Sequence, residues 1–292
     1  MSSLQKIGPS ALGKKCLLVV LAHPDDESFG MGGTLALYAS QGVEVRLVCA
    51  TRGEVGEVDE QKLKGFSSIA ELRTHELACA ARILGLASVD YLGYRDSGMQ
   101  GSAENQHPQS LYQAPLEQVI NKIRDLMKKY HPQVVVTFDP SGGYLHPDHV
   151  KVNRATEKAF FSFYGDEIKN LKYYQPEKLY FHTMPIGLFK YFIKIMPILG
   201  MDPGRFGKNK DIDLTQIVDR EYPIHAKINY RQVEQKREGA AACHASQGGI
   251  RTANPVLRLL NRLFGKQDTF MRIHPLPVRG EIERDLFAGL EK

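Results

Sequence analysis

The chain has 292 residues, 42% hydrophobic and 24% charged, which is typical of a globular protein able to bury one large core or two small ones. Its formal net charge of +5 comes from 38 basic and 33 acidic residues spread along the sequence, which argues against a nucleic-acid-binding protein. Residues 1–13 lack the apolar stretch of a signal peptide, and the apolar segment Met184–Gly200 is too short and too charged to span a bilayer.

Short runs rich in β-branched and aromatic residues predict strands, with helical patterns between the earlier ones. The predicted strands are Cys16–Leu21, Val43–Cys49, Val89–Leu92, Val134–Phe138 and Leu179–His182. The predicted helices run from Ser28 or Thr34 to Gly42, and over Ser67–Leu84, Pro115–Tyr130, His149–Phe163, His225–Ala245 and Val256–Phe264. This alternation indicates an α/β fold with a Rossmann-like, mostly parallel sheet flanked by helices. We expect residues 1–13 to be a flexible N-terminal segment and 14–292 to be a single domain whose irregular C-terminal part completes the site.

The four cysteines are far apart in the sequence and form no CxxC pair. They are Cys16, Cys49, Cys79 and Cys243, and three of them lie in apolar stretches, where a cysteine packs as a small hydrophobic residue. We therefore expect all four to be reduced and the protein to be cytoplasmic.

The first predicted strand is followed by a cluster of potential metal ligands, His23-Pro24-Asp25-Asp26-Glu27. The continuous apolar run before it is typical of a strand buried on both faces, and open α/β sheets bind ligands at the carboxyl ends of such strands. The spacing across the rigid Pro24 can aim His23 and Asp26 at one ion, which leaves Asp25 free to act as a base. The alternative is that the three acids only favour a helix N-terminus.

A second cluster, His146-Pro147-Asp148-His149, follows the fourth predicted strand. Pro147 suits the first position of a helix, so His146 would lie at the cap and His149 in the first turn, both facing the crevice. Histidine and carboxylate are the ligands of catalytic zinc, and iron(II) accepts the same donors. The two clusters together predict a divalent-metal site, with purely structural histidines as the alternative. A two-metal phosphoesterase is a third option, although it usually needs additional bridging carboxylates.

Several motifs, in this order and over most of the chain, resemble the PIG-L/LmbE-like zinc deacetylases. They are Ala22-His23-Pro24-Asp25-Asp26-Glu27, Thr51-Arg52-Gly53-Glu54, Arg73 with Glu76, and His146-Pro147-Asp148-His149. Two later segments are less specific. Tyr94-Arg95-Asp96-Ser97-Gly98-Met99 resembles a segment of the mycothiol-pathway deacetylase and conjugate-amidase branch, and His244-Ala245-Ser246-Gln247 is similar to the closing motif of the family.

The resemblance implies a role for each matching residue. The implied zinc ligands are His23, Asp26 and His149. The implied catalytic residues are Asp25 as the general base, Tyr144 and His146 as donors to the carbonyl and the oxyanion, and Asp148 as the group that orients a histidine. The implied substrate-binding residues are Arg73, Asp96 and Gln247. The residues alone leave an alternative for Arg73, an i,i+3 pair with Glu76, and for Asp96, an Asx turn.

We expect a metal-dependent amide hydrolase that removes the N-acyl group, by resemblance N-acetyl, from a small-molecule amino-sugar glycoconjugate. The alternatives are an amidase that cleaves a thiol S-conjugate at its glucosamine amide, and a non-catalytic α/β binding protein. The sequence leaves open the sugar conjugate, the acyl group, the native metal and the oligomeric state, with a homo-oligomer as one option. It also leaves open whether Asp25 or His146 protonates the leaving amine.

Overall fold

A seven-stranded sheet with helices on both faces forms the framework of the computed structural model, which describes residues 14–164, 174–183, 190, 193–205, 215, 220–248 and 266–290. Residues 1–13, the helix predicted at Val256–Phe264 and part of the apolar segment 184–200 lie outside these ranges. Among the helices that are described, none combines the length and the apolarity needed to cross a membrane.

The sheet is mostly parallel, as predicted. Its strands are β1 (Cys16–Leu21), β2 (Glu44–Cys49), β3 (Ser88–Tyr91), β4 (Val134–Phe138), β5 (Lys178–Thr183), β6 (Ala226–Asn229) and β7 (Gln267–His274). They lie in the order β3-β2-β1-β4-β5-β7-β6, with β1 to β5 parallel and β7 antiparallel to both of its neighbours. The strand order reverses between β1 and β4, and ligands of open α/β sheets bind at such a switch point.

Strand β1 occupies the middle of the core. Val19 lies opposite Leu47 of β2 on one side and opposite Val136 of β4 on the other. All six residues of β1 are buried, because helices cover both faces of the sheet. A strand in this position must be apolar along its whole length, which explains its sequence.

Within the described residues, the α-helices with assigned bounds are α1 (Asp26–Gly30), α2 (Gly32–Ser40), α3 (Glu60–Leu63), α4 (Ile69–Leu84), α5 (Leu116–Tyr130), the short turn α6 (Gly142–Leu145), α7 (Pro147–Phe161) and α8 (Glu234–Cys243). Helices α2, α4 and α8 pack together, and α5 packs on α7. The first predicted helix is divided into α1 and α2 at Met31. Helix α4 begins after Ser68, whose hydroxyl accepts the N–H of Glu71, and it ends at Gly85 with φ 81°.

The prediction of a helix over His225–Ala245 is wrong at its start, where Ala226–Asn229 form β6 and the helix begins only at Glu234. In β6, Ala226 and Ile228 are buried and the residues between and after them are less so, which is the two-residue alternation of a strand. In the sequence this alternation covers only four residues, which is too few to distinguish a strand from a helix. Strand β7 was not predicted either.

The prediction that all four cysteines are reduced is wrong for two of them. Cys79 on α4 and Cys243 at the end of α8 form a disulfide, with their Cα atoms 5.9 Å apart. Cys16 and Cys49 are free and buried. The cysteines therefore do not support the expected cytoplasmic location. That location stays a prediction.

The C-terminal part of the chain holds helix α2 against the sheet. Asp268 of β7 accepts hydrogen bonds from the backbone nitrogen and the hydroxyl of Thr34, at 2.8 and 2.7 Å. Asp285 accepts a hydrogen bond of 2.8 Å from the Tyr38 hydroxyl. Thr34 and Tyr38 both belong to α2, so this helix is fixed from a region more than 200 residues later.

Candidate active site

The two His-Pro-Asp clusters meet at the switch point between β1 and β4. His23 follows β1, whereas His146 and His149 lie at the start of α7, after the turn that leaves β4. The ring of His23 is 4.6 Å from that of His146 and 5.0 Å from that of His149, measured between centroids. All three rings are buried. The fold thus brings together residues that are more than 120 positions apart in the sequence.

Three donor groups face one another at this point. His23 Nδ1 lies 3.1 Å from His149 Nε2 and 3.7 Å from Asp26 Oδ2, and His149 Nε2 lies 3.3 Å from Asp26 Oδ1. Asp26 Oδ2 also accepts the backbone N–H of His23 at 2.8 Å, which fixes the carboxylate at the end of β1. Metal–ligand bonds of about 2 Å in a zinc site separate neighbouring donors by roughly 3–3.5 Å. The distances from His149 Nε2 to His23 Nδ1 and to Asp26 Oδ1 lie in that range, and the distance from His23 Nδ1 to Asp26 Oδ2 is slightly longer.

The hydrogen bonds made by one nitrogen of each ring, His149 Nδ1 and His23 Nε2, determine whether the other nitrogen carries a proton or a lone pair. His149 Nδ1 lies 3.0 Å from the carbonyl oxygen of Gly142, which can only accept, so Nδ1 carries a proton. His23 Nε2 faces the carboxylate of Asp148 at 3.2 Å and carries a proton for the same reason. In the neutral rings, His23 Nδ1 and His149 Nε2 therefore both present lone pairs, an arrangement that a cation stabilises. This donor set fits a divalent metal.

Two other groupings of buried side chains bring potential ligand atoms within 4.8 Å of one another in the described parts of the chain: His23 with His146 and His149, and His23 with Asp96 and Asp148. The two carboxylates of the second grouping face Nε2 of His23, opposite to the nitrogen that faces His149. Although burial disfavours a charged imidazole, these carboxylates outweigh it and raise the pKa of His23 well above its usual value.

Asp25 lies beside the donor set in a backbone conformation that non-glycine residues rarely adopt, with φ 125° and ψ −28°. Its carboxylate accepts a hydrogen bond from Arg73 Nη2 at 3.2 Å. Burial raises the pKa of Asp25 to about 7, although the charge of Arg73 acts in the opposite direction. A carboxyl group with a pKa near neutrality can both accept and return a proton.

His146 and Tyr144 are neutral hydrogen-bond donors at the same site. His146 caps α7 and accepts the N–H of Asp148 on Nδ1 at 3.2 Å, so its proton is on Nε2. Burial, together with the neighbouring His23 and His149, lowers the pKa of His146 well below its usual value. The Tyr144 ring stands edge-on to His149 at 5.0 Å, and burial raises the pKa of its phenol well above 10. Both groups keep a proton to donate at neutral pH.

The structure places Arg73 inside the site, so the alternative of a helix-surface pair with Glu76 is wrong. Arg73 is 3% exposed and donates to the carbonyl oxygens of Pro24 and Gly53, at 2.6 and 3.0 Å, as well as to Asp25. Glu76 instead accepts hydrogen bonds from the nitrogen and hydroxyl of Ser246.

Asp96 and Gln247 contact different parts of the site. Asp96 forms the Asx turn, accepting the N–H of Gly98 at 2.8 Å, and the same oxygen lies 3.6 Å from His23 Nε2. A Cβ on Gly56 would lie 2.7 Å from Arg73 Nη1 and 3.2 Å from Gln247 Oε1. Gly56 therefore packs against the ends of both side chains, and any other residue at this position would displace the Arg73 guanidinium.

The sequence did not reveal one further element of the site, the pair formed by Glu27 and His244. His244 Nε2 lies 2.7 Å from Glu27 Oε1, and the side chains of both residues are fully buried. The two are 217 residues apart, and Glu27 looked like an ordinary acid at a helix N-terminus. The only available signal was the resemblance of His244–Gln247 to the closing motif of a family.

Comparisons with known proteins agree with this site. A family model described as "PIG-L: GlcNAc-PI de-N-acetylase" matches residues 18–160, which contain both His-Pro-Asp motifs. Two relatives carry the name 1D-myo-inositol 2-acetamido-2-deoxy-alpha-D-glucopyranoside deacetylase. The one from Acidothermus cellulolyticus is 35% identical and the match covers 95% of this chain and 96% of that protein. The one from Salinispora arenicola is 32% identical, with 96% and 93% covered.

Solved structures share the fold at lower identity. N,N'-diacetylchitobiose deacetylase from Pyrococcus horikoshii superposes with a TM-score of 0.59 at 21% identity, over 89% of this chain and 84% of that one. GalB, a 4-carboxy-2-hydroxymuconate hydratase from Pseudomonas putida, gives 0.58 at 21% identity, over 90% and 98%. Since one neighbour is a hydratase, the fold alone does not fix the reaction. The full-length relatives, read with the matched motifs, do fix the family: this chain belongs to the PIG-L family of de-N-acetylases.

Proposed function

We propose that this protein is a zinc-dependent deacetylase that hydrolyses the acetamide of an amino-sugar glycoside. The observation that carries the proposal is the position of Asp25, a proton acceptor held beside the three donor groups of His23, Asp26 and His149. The names of the near-full-length relatives suggest the substrate, 1D-myo-inositol 2-acetamido-2-deoxy-alpha-D-glucopyranoside. We expect the protein to act on this small molecule in the cytoplasm.

His23, Asp26 and His149 would hold the metal, and Asp148 would orient His23 through Nε2 of its ring. When bound, zinc supplies Lewis acidity that polarises the amide carbonyl and lowers the pKa of water to about 7. Iron(II) accepts the same donors, and metal analysis of the purified protein distinguishes the two.

Asp25 would take the proton from the attacking water. Its pKa of about 7 leaves a substantial fraction ionised at neutral pH, and the bond from Arg73 Nη2 fixes the carboxylate in one orientation. A positioned base of this kind typically contributes a factor of about 10²–10⁴ to the rate.

Tyr144 and His146 would donate hydrogen bonds to the oxygen on which negative charge develops. His146 donates from Nε2, since Nδ1 is occupied by the N–H of Asp148. One such donor is typically worth ~3 kcal/mol of transition-state stabilisation. Because the low pKa of His146 keeps it neutral, the proton for the leaving amine would come from Asp25, which has just received one.

The proposed function is tested by acetate release from the named glycoside with zinc-loaded protein and with the variants Asp25→Ala and His149→Ala. We expect Asp25→Ala to retain zinc and lose activity, whereas His149→Ala loses both. Equal activity in the wild type and both variants would rule out the mechanism.

An amidase acting on a thiol S-conjugate is the second candidate, because it would use the same groups and differ only in the acyl side of the pocket. Amine release from a bulky acyl-glucosamine conjugate, compared with acetate release from the acetamide, separates the two activities. A non-catalytic binding protein would cleave neither amide while still binding zinc.

A further inference from the structure

We propose that Glu27 and His244 are positioning residues that hold the backbone of Asp25 in its catalytic conformation. The proposal rests on the proposed function insofar as Asp25 is the base. Neither Glu27 nor His244 is one of the proposed metal ligands.

The backbone of Asp25 needs an external restraint. Its φ of 125° and ψ of −28° place an L-residue with a side chain where the backbone is strained. Such a conformation persists only when the surrounding structure determines it by several contacts. If it relaxed, the carboxylate would move away from the donor set and from Arg73.

Glu27 supplies one of those contacts. Its Oε2 accepts the backbone N–H of Asp25 at 3.0 Å, in a bond directed back along the chain. The carbonyl oxygen of Asp25 accepts from the nitrogens of Ser28 and Phe29, at 3.0 and 2.9 Å. Both the N–H and the carbonyl group of Asp25 are therefore hydrogen-bonded, and only the N–H depends on a side chain, that of Glu27.

His244 in turn fixes Glu27. The other carboxylate oxygen, Oε1, lies 2.7 Å from His244 Nε2 and accepts the hydroxyl of Ser28. Both Glu27 oxygens are thus occupied, and the carboxylate is 0% exposed. A buried carboxylate requires such partners, and a charge-assisted bond of this length is among the stronger kinds.

The segment that carries His244 is itself tied to α4. Cys243 is bonded to Cys79, and Ser246 donates two hydrogen bonds to Glu76, with Cys79 and Glu76 both on α4. A continuous chain of contacts therefore runs from α4 through His244 and Glu27 to the amide of Asp25. Through this chain, a histidine that follows α8 reaches a residue that follows β1.

The experiment compares Glu27→Ala with the conservative Glu27→Gln. The alanine removes the acceptor for the Asp25 amide, and misplacement of a catalytic group by about 1 Å costs roughly a hundredfold in rate. We expect kcat of Glu27→Ala to fall by about that factor, with KM and bound zinc unchanged. Glu27→Gln keeps an oxygen acceptor and should recover most of the lost kcat, which a merely structural defect would not predict.

Glu71→Ala is the matched control. The Glu71 carboxylate also accepts a hydrogen bond from a backbone nitrogen earlier in the chain, that of Ser67 at 2.7 Å, but this bond lies at the exposed start of α4. This variant should keep wild-type kcat. A wild-type kcat in Glu27→Ala, or a Glu27→Gln variant as impaired as Glu27→Ala, would overturn the inference.

A second measurement needs no substrate and separates this inference from the proposed function. Hydrogen–deuterium exchange of the Asp25 amide, followed in metal-free protein on peptides covering residues 23–31, should be faster in Glu27→Ala and in His244→Ala than in the wild type or Glu71→Ala. Equal exchange in all four proteins would overturn the inference even if the enzyme deacetylates its substrate. A wild type inactive on every amino-sugar amide would instead refute the proposed function.

Discussion

Arg73 of α4 reaches across the site to Asp25, with its guanidinium Nη2 3.2 Å from the carboxylate. Because the charge of Arg73 opposes the effect of burial on the pKa of Asp25, Arg73→Gln should raise that pKa above about 7. A base with a higher pKa is ionised only at higher pH, so the acidic limb of the kcat/KM profile should move upward. Breaking this buried pair should also lower the free energy of unfolding by about 3 kcal/mol.

The measurement is a pH–rate profile with zinc-loaded protein, together with urea unfolding. Arg82→Gln is the control, because Arg82 lies in the last turn of the same helix and is exposed. An acidic limb that stays in place in Arg73→Gln would contradict the prediction.

Asp148 should affect metal binding without being one of the proposed ligands. Its carboxylate contacts His23 Nε2 at 3.2 Å and is itself held by the backbone nitrogen of Ser97 at 3.0 Å. Substituting a residue that orients a metal-binding histidine typically weakens metal affinity by about 10–100-fold. We expect this loss in Asp148→Asn, measured by competition with a chromophoric chelator. Asp125→Asn, at an exposed position on α5, should bind zinc like the wild type, and the prediction fails if both variants do.

Asp268 should make the stability of the metal-free protein depend on pH. Burial raises its pKa from 3.8 to about 6, although the bonds from Thr34 partly oppose this. The folded state therefore holds the proton more tightly than the unfolded state. The associated stabilisation is complete below pH 3.8 and is lost as the pH rises through about 6.

Asp268→Asn removes this titration while keeping an acceptor for Thr34. Between pH 4.5 and 8, the unfolding free energy of the wild type, taken relative to the variant, should fall by about 2 kcal/mol, since one pKa unit corresponds to about 1.4 kcal/mol and part of the effect is already lost at pH 4.5. Urea unfolding of both proteins at the two pH values measures this difference. A difference that does not change with pH would show that Asp268 has an ordinary pKa.

The disulfide between Cys79 and Cys243 closes a loop of 164 residues and should contribute about 2–5 kcal/mol to stability. A reducing agent should therefore lower the urea midpoint of the wild type. The double variant Cys79→Ser, Cys243→Ser should have the lower midpoint from the start and should not respond to the reductant. If the reductant shifts both proteins equally, the effect does not come from this bond.

Much of the parallel sheet and the main features of the site could be predicted because they depend on local patterns. Strands β1 and β4 are buried on both faces and are therefore mostly apolar runs, and the histidines and aspartates follow β1 directly and β4 after a short turn. A sheet of parallel strands then brings the two clusters to one edge, whatever the sequence between them. The contact between His23 and His149 follows from this topology.

The unpredicted features depend on contacts that have no local pattern. Strand β6 has four residues, and its partner β7 lies almost forty residues further on. The bond between Glu27 and His244 and the bond between Arg73 and Asp25 each join residues from separate helices or loops, and buried charges of this kind resemble surface charges in a sequence. The pairing of Cys79 with Cys243 likewise depends on how α4 packs against α8.

Strand β7, the last strand of the sheet in chain order, also affects how the protein folds during translation. The ribosome releases β1, β4 and all the proposed metal ligands before Asp268 and Asp285, the partners of Thr34 and Tyr38 in α2, have been synthesised. Until β7 arrives, the edge of β5 has no antiparallel neighbour, and such an edge is a template for pairing with other chains. The nascent protein therefore passes through a stage in which its metal-binding residues are complete but its sheet is open, and this is the stage at which we expect it to depend most on chaperones.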